Sequence, residues 1–340
     1  MKRLMDATPT ERPRRRWLRW LLLLALIASP FAALMWWWSS EPAAFDVREA
    51  VADYAREHNE KSVTGSATTV VAVRLTRTLL DKRGGYLAND LAPPGVLMDD
   101  VPNWEYGVVL QLRDLALSMR NDFSRSQSQS VEDADLREAF NYFSYQHRRW
   151  FIPSTESQYA KGAERLEQYL KRLSDEKDSQ AQFYARADNL AVYLALVEKR
   201  LGSLSQRLSA SVGQERLNTD LAGDPSAQQS TPGAEPQFIR TPWLKIDDVF
   251  YEARGTTYAL SHILRGIAID FAPVLKDKNA LVSLEQIIRE LDEAQAPVRS
   301  PMILNGGQFG LFANHSLVMA NYVSRANAAM IDLRRLLERG

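Results

Sequence analysis

The side chains with the most chemical potential in this sequence fall into two groups. The first lies in IDDVFYEARG, where Asp247, Asp248, Glu252 and Arg254 sit close together and His262 follows on the same helical stretch. Carboxylates that converge with a histidine in a cleft can divide acid and base roles, because mutual proximity drives their pKa values apart. The second group, Asn314 and His315, opens the last helical pattern about fifty positions later. Glu252, Arg254, His262, Asn314 and His315 are therefore the catalytic candidates, on condition that they line one pocket. The competing reading is a set of ion pairs between helices. Glu252 and Arg254 are only two residues apart and do not face each other on an ideal helix.

Other chemistries lack their residues. The four histidines, His58, His147, His262 and His315, share no short metal-binding spacing, so no metal is assigned. The absence of cysteine removes a thiol nucleophile and any disulfide, and no GxSxG elbow raises one serine above the rest. Gly306, Gly307 and Gly310 precede a helix and could offer backbone N–H groups to an anion. The string matches neither a Walker A loop nor a dinucleotide fingerprint and reads as a tight connector, so no cofactor is assigned.

The elements that would position these residues begin with an anchor. Trp20–Trp38 reads WLLLLALIASPFAALMWWW without an ionisable side chain, close to the roughly 20 residues that span a bilayer as a helix. Trp17 and Trp20 at one end and Trp36, Trp37 and Trp38 at the other suit the two headgroup regions. Residues 1–19 hold seven basic side chains against two acidic ones, while Glu41, Asp46 and Glu49 follow the span. This asymmetry predicts an N-terminus in the cytoplasm and an exported body. A cleaved secretory signal is the competing reading, but the candidate cuts pair Glu41 with Ala43, Pro42 with Ala44 or Phe31 with Ala33, and none supplies two small residues. With formal charge zero overall, the remainder is acidic by five, which argues against a nucleic-acid footprint.

Beyond the anchor the apolar residues step by three and four, so the expected fold class is all-α: a transmembrane helix, then a multi-helix bundle containing a long antiparallel hairpin. Helices are expected over 46–60, 67–82, from Asn103 through Phe123, and after SRSQSQSVEDADL, where Ser130 and Asp133 resemble a capping pair. Tyr159, Ala163, Leu166, Leu170 and Leu173 form a seam that resumes, past a turn near Asp178, through Phe183, Ala187, Leu190, Leu194, Val197, Leu201, Leu204 and Leu208. The seam predicts a hairpin over 156–210, packed inside the bundle or open to self-association or a second protein. Further helices are expected over 247–270, 281–293 and 314–338, the last with a small-residue face at Ser316, Ala320, Ser324 and Ala328 that permits close packing. The resulting organisation is a basic cytoplasmic tail (1–16), a transmembrane anchor (17–38), a helical periplasmic region (45–211), a linker or loop (212–236) and a C-terminal helical region (237–340), in the same core or a second one.

Five strings, GGYLAND at 84–90, PNWEYG at 102–107, SRSQSQS at 124–130, TPWLKIDDVFYEARG at 241–255 and SPMILNGGQFGLFANHSLVMANYVSRANAA at 300–329, resemble an uncharacterised family of mainly proteobacterial single-pass inner-membrane proteins. The resemblance implies an inner-membrane protein with a periplasmic body and brings no catalytic set. The expected role is a binding or scaffolding component of the cell envelope. The alternative is a membrane-tethered enzyme acting on a cell-wall or lipid-linked substrate.

Overall fold

The computed structural model describes residues 14–126, 131–175, 180–216, 237–300, 302–307 and 311–339. The apolar run winds into α1 (Arg14–Trp38), continuous through Pro30. Its stretch Trp17–Trp38 is long and apolar enough to cross a membrane, and the apolar window is not buried against the rest of the chain. Every other helix has a face turned into the body.

Those helices are α2 (Val47–His58), α3 (Ser66–Asp81), α4 (Asp100–Ser118), α5 (Ala134–Phe143), α6 (Thr155–Ser174), α7 (Ala187–Ser209), α8 (Ile246–Asp270), α9 (Ala272–Asp277), α10 (Leu281–Glu293) and α11 (His315–Glu338). Side-chain oxygens satisfy several of the orphan N-terminal N–H groups. Asp46 caps α2 at Glu49, Asp133 caps α5, Ser154 caps α6 and Asn314 caps α11. The cap of α3 comes from elsewhere: Asp270, at the end of α8, accepts the N–H groups of Gly65 and Thr68 at 2.9 and 2.7 Å and the Thr68 hydroxyl at 2.7 Å.

Several boundaries differ from the sequence reading. Helix α4 starts at Asp100, not after Asn103, because Pro102 falls in its first turn, where a missing N–H costs nothing. Asp133 is itself the cap of α5, and Ser130 lies outside the described residues. Phe183 precedes α7 and packs on Phe123 and Phe271, joining a cluster of rings instead of a helical seam. The turn near Asp178 and most of the 212–236 linker lie outside the described residues. At the linker's edges, β1 (Gln214–Arg216) pairs antiparallel with β2 (Gln237–Ile239).

Helices α6 and α7 each find their main partners elsewhere in the chain. Helix α6 packs on α5 and α3, and α7 packs along α11, α4 and α8. The seam from Leu190 to Leu208 is accordingly buried inside the chain. The small face of α11 contributes to this packing, with Ser324 meeting Ser205 of α7. One contiguous apolar core takes residues from both sides of the linker, including Leu112, Leu194, Leu264 and Met330.

Helix α8 lies in the middle, with every residue from Glu252 to Leu264 buried. A helix enclosed on all sides needs neighbours that approach its backbone, and α4 does so at two glycines. A Cβ on Gly255 would lie 1.9 Å from the Trp104 carbonyl oxygen, and one on Gly107 would lie 2.2 Å from that of Glu252. Helix propensity alone favours alanine over glycine by about 1 kcal/mol, whereas forcing these backbones apart costs roughly 1–3 kcal/mol or more. Gly255→Ala is therefore expected to lower the thermal unfolding midpoint despite its better propensity, and a raised midpoint would show that the crossing is not tightly packed.

Candidate functional site

Elements meet α8 in an order that defines two ends of the bundle. The linker after α1 runs in step with α8: Arg254 holds Glu41, the Tyr258 hydroxyl donates to the Ala43 carbonyl at 3.0 Å, and the Phe45 N–H donates to His262 Nε2 at 3.2 Å. The start of α8 therefore lies on the side of α1. The loop after α3 reaches the same place, where the Arg83 guanidinium sits 4.1 Å from the Trp37 ring centre and donates to the Ser40 hydroxyl. Gly84, at φ +83°, leaves room for Trp38, whose ring a Cβ there would meet at 2.8 Å.

Each of the five candidates from the sequence has a partner within the chain. Glu252, 7% exposed, accepts both arms of Arg207, at 2.7 and 2.5 Å. That pairing holds the Arg207 pKa above its ordinary value. Arg254, 5% exposed, spends its N–H donors on both oxygens of Glu41 and on the carbonyls of Ala294, Gln295 and Ala296. A guanidinium has five such donors, so this one is fully occupied. Glu252 and Arg254 thus bind to opposite sides of α8.

His262 is fully buried and stacks on Phe45 with ring centres 4.1 Å apart. Its Nδ1 lies 2.7 Å from the Tyr258 carbonyl, so it carries the proton, while Nε2 accepts from Phe45. Burial lowers its pKa to about 4, which keeps the ring neutral. Asn314 accepts from the Leu317 N–H at 2.9 Å and donates to the Gly306 carbonyl at 2.7 Å, and His315 Nδ1 accepts from the Leu304 N–H at 3.1 Å. Arg254 borders a cleft of about 420 Å³ with Glu41, Tyr251 and Gln295, and the other four candidates do not line it. The arrangement fastens segments together and does not converge on a reacting atom.

The Lys82–Glu105 pair and the joining of Asp99 and Asp100 to Asp247 and Asp248 were not singled out from the sequence. Lys82 and Glu105 form a buried ion pair at 2.5 Å, and Glu105 also accepts the N–H groups of Leu87 and Ala88 at 2.8 Å each. A signal existed, since Glu105 occupies the apolar stripe Val101, Val108, Leu112. The second is an acidic patch around the start of α4 and α8. Burial first, then the charges of Asp99, Asp247, Asp248 and Glu41, raise Asp100 to about 7. Among the described residues no group of three or more histidine and acidic side chains has a geometry that could hold a metal ion.

These shifts give two pH tests. A histidine with a folded pKa near 4 and an ordinary unfolded value stabilises fully above about pH 6.5 and loses that stability as the pH falls toward about 4. The unfolding midpoint should drop over that interval in the wild type and less steeply in His262→Gln, which keeps a donor and an acceptor but does not titrate. Parallel curves would mean that His262 is not the titrating group. For Asp100 the folded value is raised, so its charge costs stability as the pH rises through about 7. The midpoint advantage of Asp100→Asn should widen from about pH 4 to about pH 7 and then level off; a constant offset would contradict the shift.

The strings noted in the sequence now have a place. GGYLAND is held by Glu105 of PNWEYG, Gly107 of PNWEYG crosses Gly255 at the end of TPWLKIDDVFYEARG, and Asn305 of the last string donates to the Ser211 carbonyl at the same end. Of SRSQSQS, residues 124–126 are described, and they follow α4 at the opposite end. Neither a curated protein nor a solved structure matches the chain. A family model does match, over residues 12–340, and the chain belongs to that family, DUF2333, described as an uncharacterized protein conserved in bacteria.

Proposed function

We propose that the chain is a single-pass protein of the bacterial inner membrane whose helical body is a binding or scaffolding component of the cell envelope. Helix α1 is the anchor, with its tryptophans at the two headgroup regions. The excess of basic residues before it supports an N-terminus in the cytoplasm and a body in the periplasm. The observation that carries the reading is the fastening of Glu41, Ala43 and Phe45 along α8. A catalytic domain on a tether needs no such attachment, whereas a component that presents a surface at a set height and orientation does.

The surface we assign to binding is a groove of about 1110 Å³ bordered by the linker, α2, α8, α9 and α10. Val47, Val51, Ala268, Ile269 and Ile288 give it apolar walls, and Arg48, Arg265, Lys276 and Glu285 lie along it. An apolar trough with charged margins suits an amphipathic helix of a partner protein. Because Ala44 and Phe45 form part of its wall, the anchor's attachment also shapes the groove.

Two experiments test the two halves of this reading. Fusion of a periplasm-dependent phosphatase to the C-terminus should give activity while a cytoplasm-dependent fluorescent reporter there stays dark, with an N-terminal tag retained; the reverse pattern overturns the topology. A photo-crosslinking residue at Ala52, exposed in the groove, should capture a discrete envelope protein in cells, while the same residue at Glu164 on the outer face of α6 should not. Equal yields at both sites, or none at Ala52, would remove the groove as a binding surface.

A further inference from the structure

The end of the body that holds α1 is studded with apolar side chains left in solvent. Trp150, Phe151 and Ile152 are 57, 60 and 82% exposed, and Trp243 and Leu244 are 77 and 76% exposed. Just before α11, Leu311 and Phe312 are 102 and 74% exposed, and Leu91, Val96 and Leu97 stand out from the loop between α3 and α4. Among the described residues outside α1, every exposed tryptophan and phenylalanine belongs to this end. At the opposite end the exposed large apolar side chains are valines, Val131, Val192 and Val282, and none is aromatic.

These tips project from pinned backbone. The buried Thr155 hydroxyl shares its one proton between the carbonyls of Gln146 and Arg149 and accepts the Arg149 N–H, and the Tyr145 hydroxyl donates to the Pro153 carbonyl, so the turn carrying Trp150 is closed. The same turn is tied to GGYLAND through Asn89, which donates to the Arg149 carbonyl at 3.0 Å. Thr241 donates its N–H to the Ala210 carbonyl and Lys245 to that of Pro242, on either side of Trp243. Gly306 donates to the Ala313 carbonyl, and the Asn305–Asn314 bridge fixes the chain next to Phe312. Polar groups turned inward and aromatic groups turned outward are the reverse of what water rewards, since each exposed side chain of this size forgoes roughly 1.5–3 kcal/mol of burial.

The geometry points to the bilayer that holds α1 as the occupant of this surface: the loops carrying Trp150, Trp243 and Phe312 sit in its outer interfacial layer, around the exit of the helix. This rests on the reading of α1 as a membrane span. If Trp36–Trp38 lie at headgroup level, Arg83 and Gly84, which touch Trp37 and Trp38, lie there too, and Asn89 of the same loop ties the turn carrying Trp150 to it. Cations stand beside the apolar tips, and the acidic patch at the start of α4 and α8 lies at the same end. Arg148, Arg240 and Lys245 are exposed within three residues of Trp150 or Trp243, placing cations and indoles together as an interface between water and hydrocarbon favours. The body would then rest on the membrane and be held at several points.

The chain contains no cysteine, so single cysteines can be introduced without background. Phe151→Cys, Leu244→Cys and Phe312→Cys, each at an exposed side chain, would be labelled with an environment-sensitive fluorophore. The full chain would be reconstituted in vesicles of phosphatidylethanolamine and phosphatidylglycerol carrying nitroxide quenchers at shallow or deep acyl positions. Ile27→Cys in α1 and Val131→Cys at the opposite end are the controls. The three loop sites should show blue-shifted emission and loss of signal with the shallow quencher, Ile27 should respond to the deep quencher, and Val131 to neither. If the loop sites behave like Val131 while Ile27 is quenched, the interfacial contact is wrong and the membrane span stands. If Ile27 is also unquenched, the span itself fails and the inference falls with it.

Discussion

Enclosing α8 on every side is the constraint from which the other contacts follow. A helix in that position can touch its neighbours closely only where side chains are absent, and Gly107 and Gly255 provide that point against α4. Its buried charged groups and His262 then have no water to turn to, and each is met by another element. Glu252 receives Arg207 from α7, Arg254 receives Glu41 from the linker, His262 receives the Phe45 N–H, and Asp270 receives the start of α3. Leaving any such group unpaired costs on the order of 1–3 kcal/mol, and more for a charge. The buried polar set therefore specifies which segments surround α8 and in what register.

The same set joins α1 to the body. Three successive contacts, to Glu41, Ala43 and Phe45, leave the linker no freedom to act as a swivel, and the loop after α3 adds Arg83 on Trp37. The Lys82–Glu105 pair supports that loop from beneath. Residues that would suit catalysis by type are thereby committed to fastening. The mounted binding surface we propose rests on this commitment.

The helices were largely legible from the sequence, because a period of three to four in Leu190, Leu194, Val197, Leu201, or in Leu260, Leu264, Ile267, reports a buried stripe whatever lies opposite. Their partners were not. The seam of α6 and α7 looked like one hairpin, yet α11 packs along α7 and α5 along α6, since a leucine stripe does not encode which other stripe will cover it. Phe183 fitted the spacing of α7 and instead joined Phe123 and Phe271, a ring cluster assembled from three distant segments.

By itself the sequence determined the elements of local origin: the uninterrupted apolar run of α1, the apolar period of the helices that follow, and the absence of thiol chemistry. The tertiary structure alone decided what the polar residues are for. Nothing in the spacing of IDDVFYEARG says that Glu252 and Arg254 leave α8 in different directions, or that the acceptor for Arg254 is Glu41, more than two hundred positions earlier. Backbone geometry and apolar periodicity act over a few residues and are written in consecutive letters. The fate of a buried charge depends on which atoms surround it once the chain has closed, and those atoms come from everywhere in the sequence.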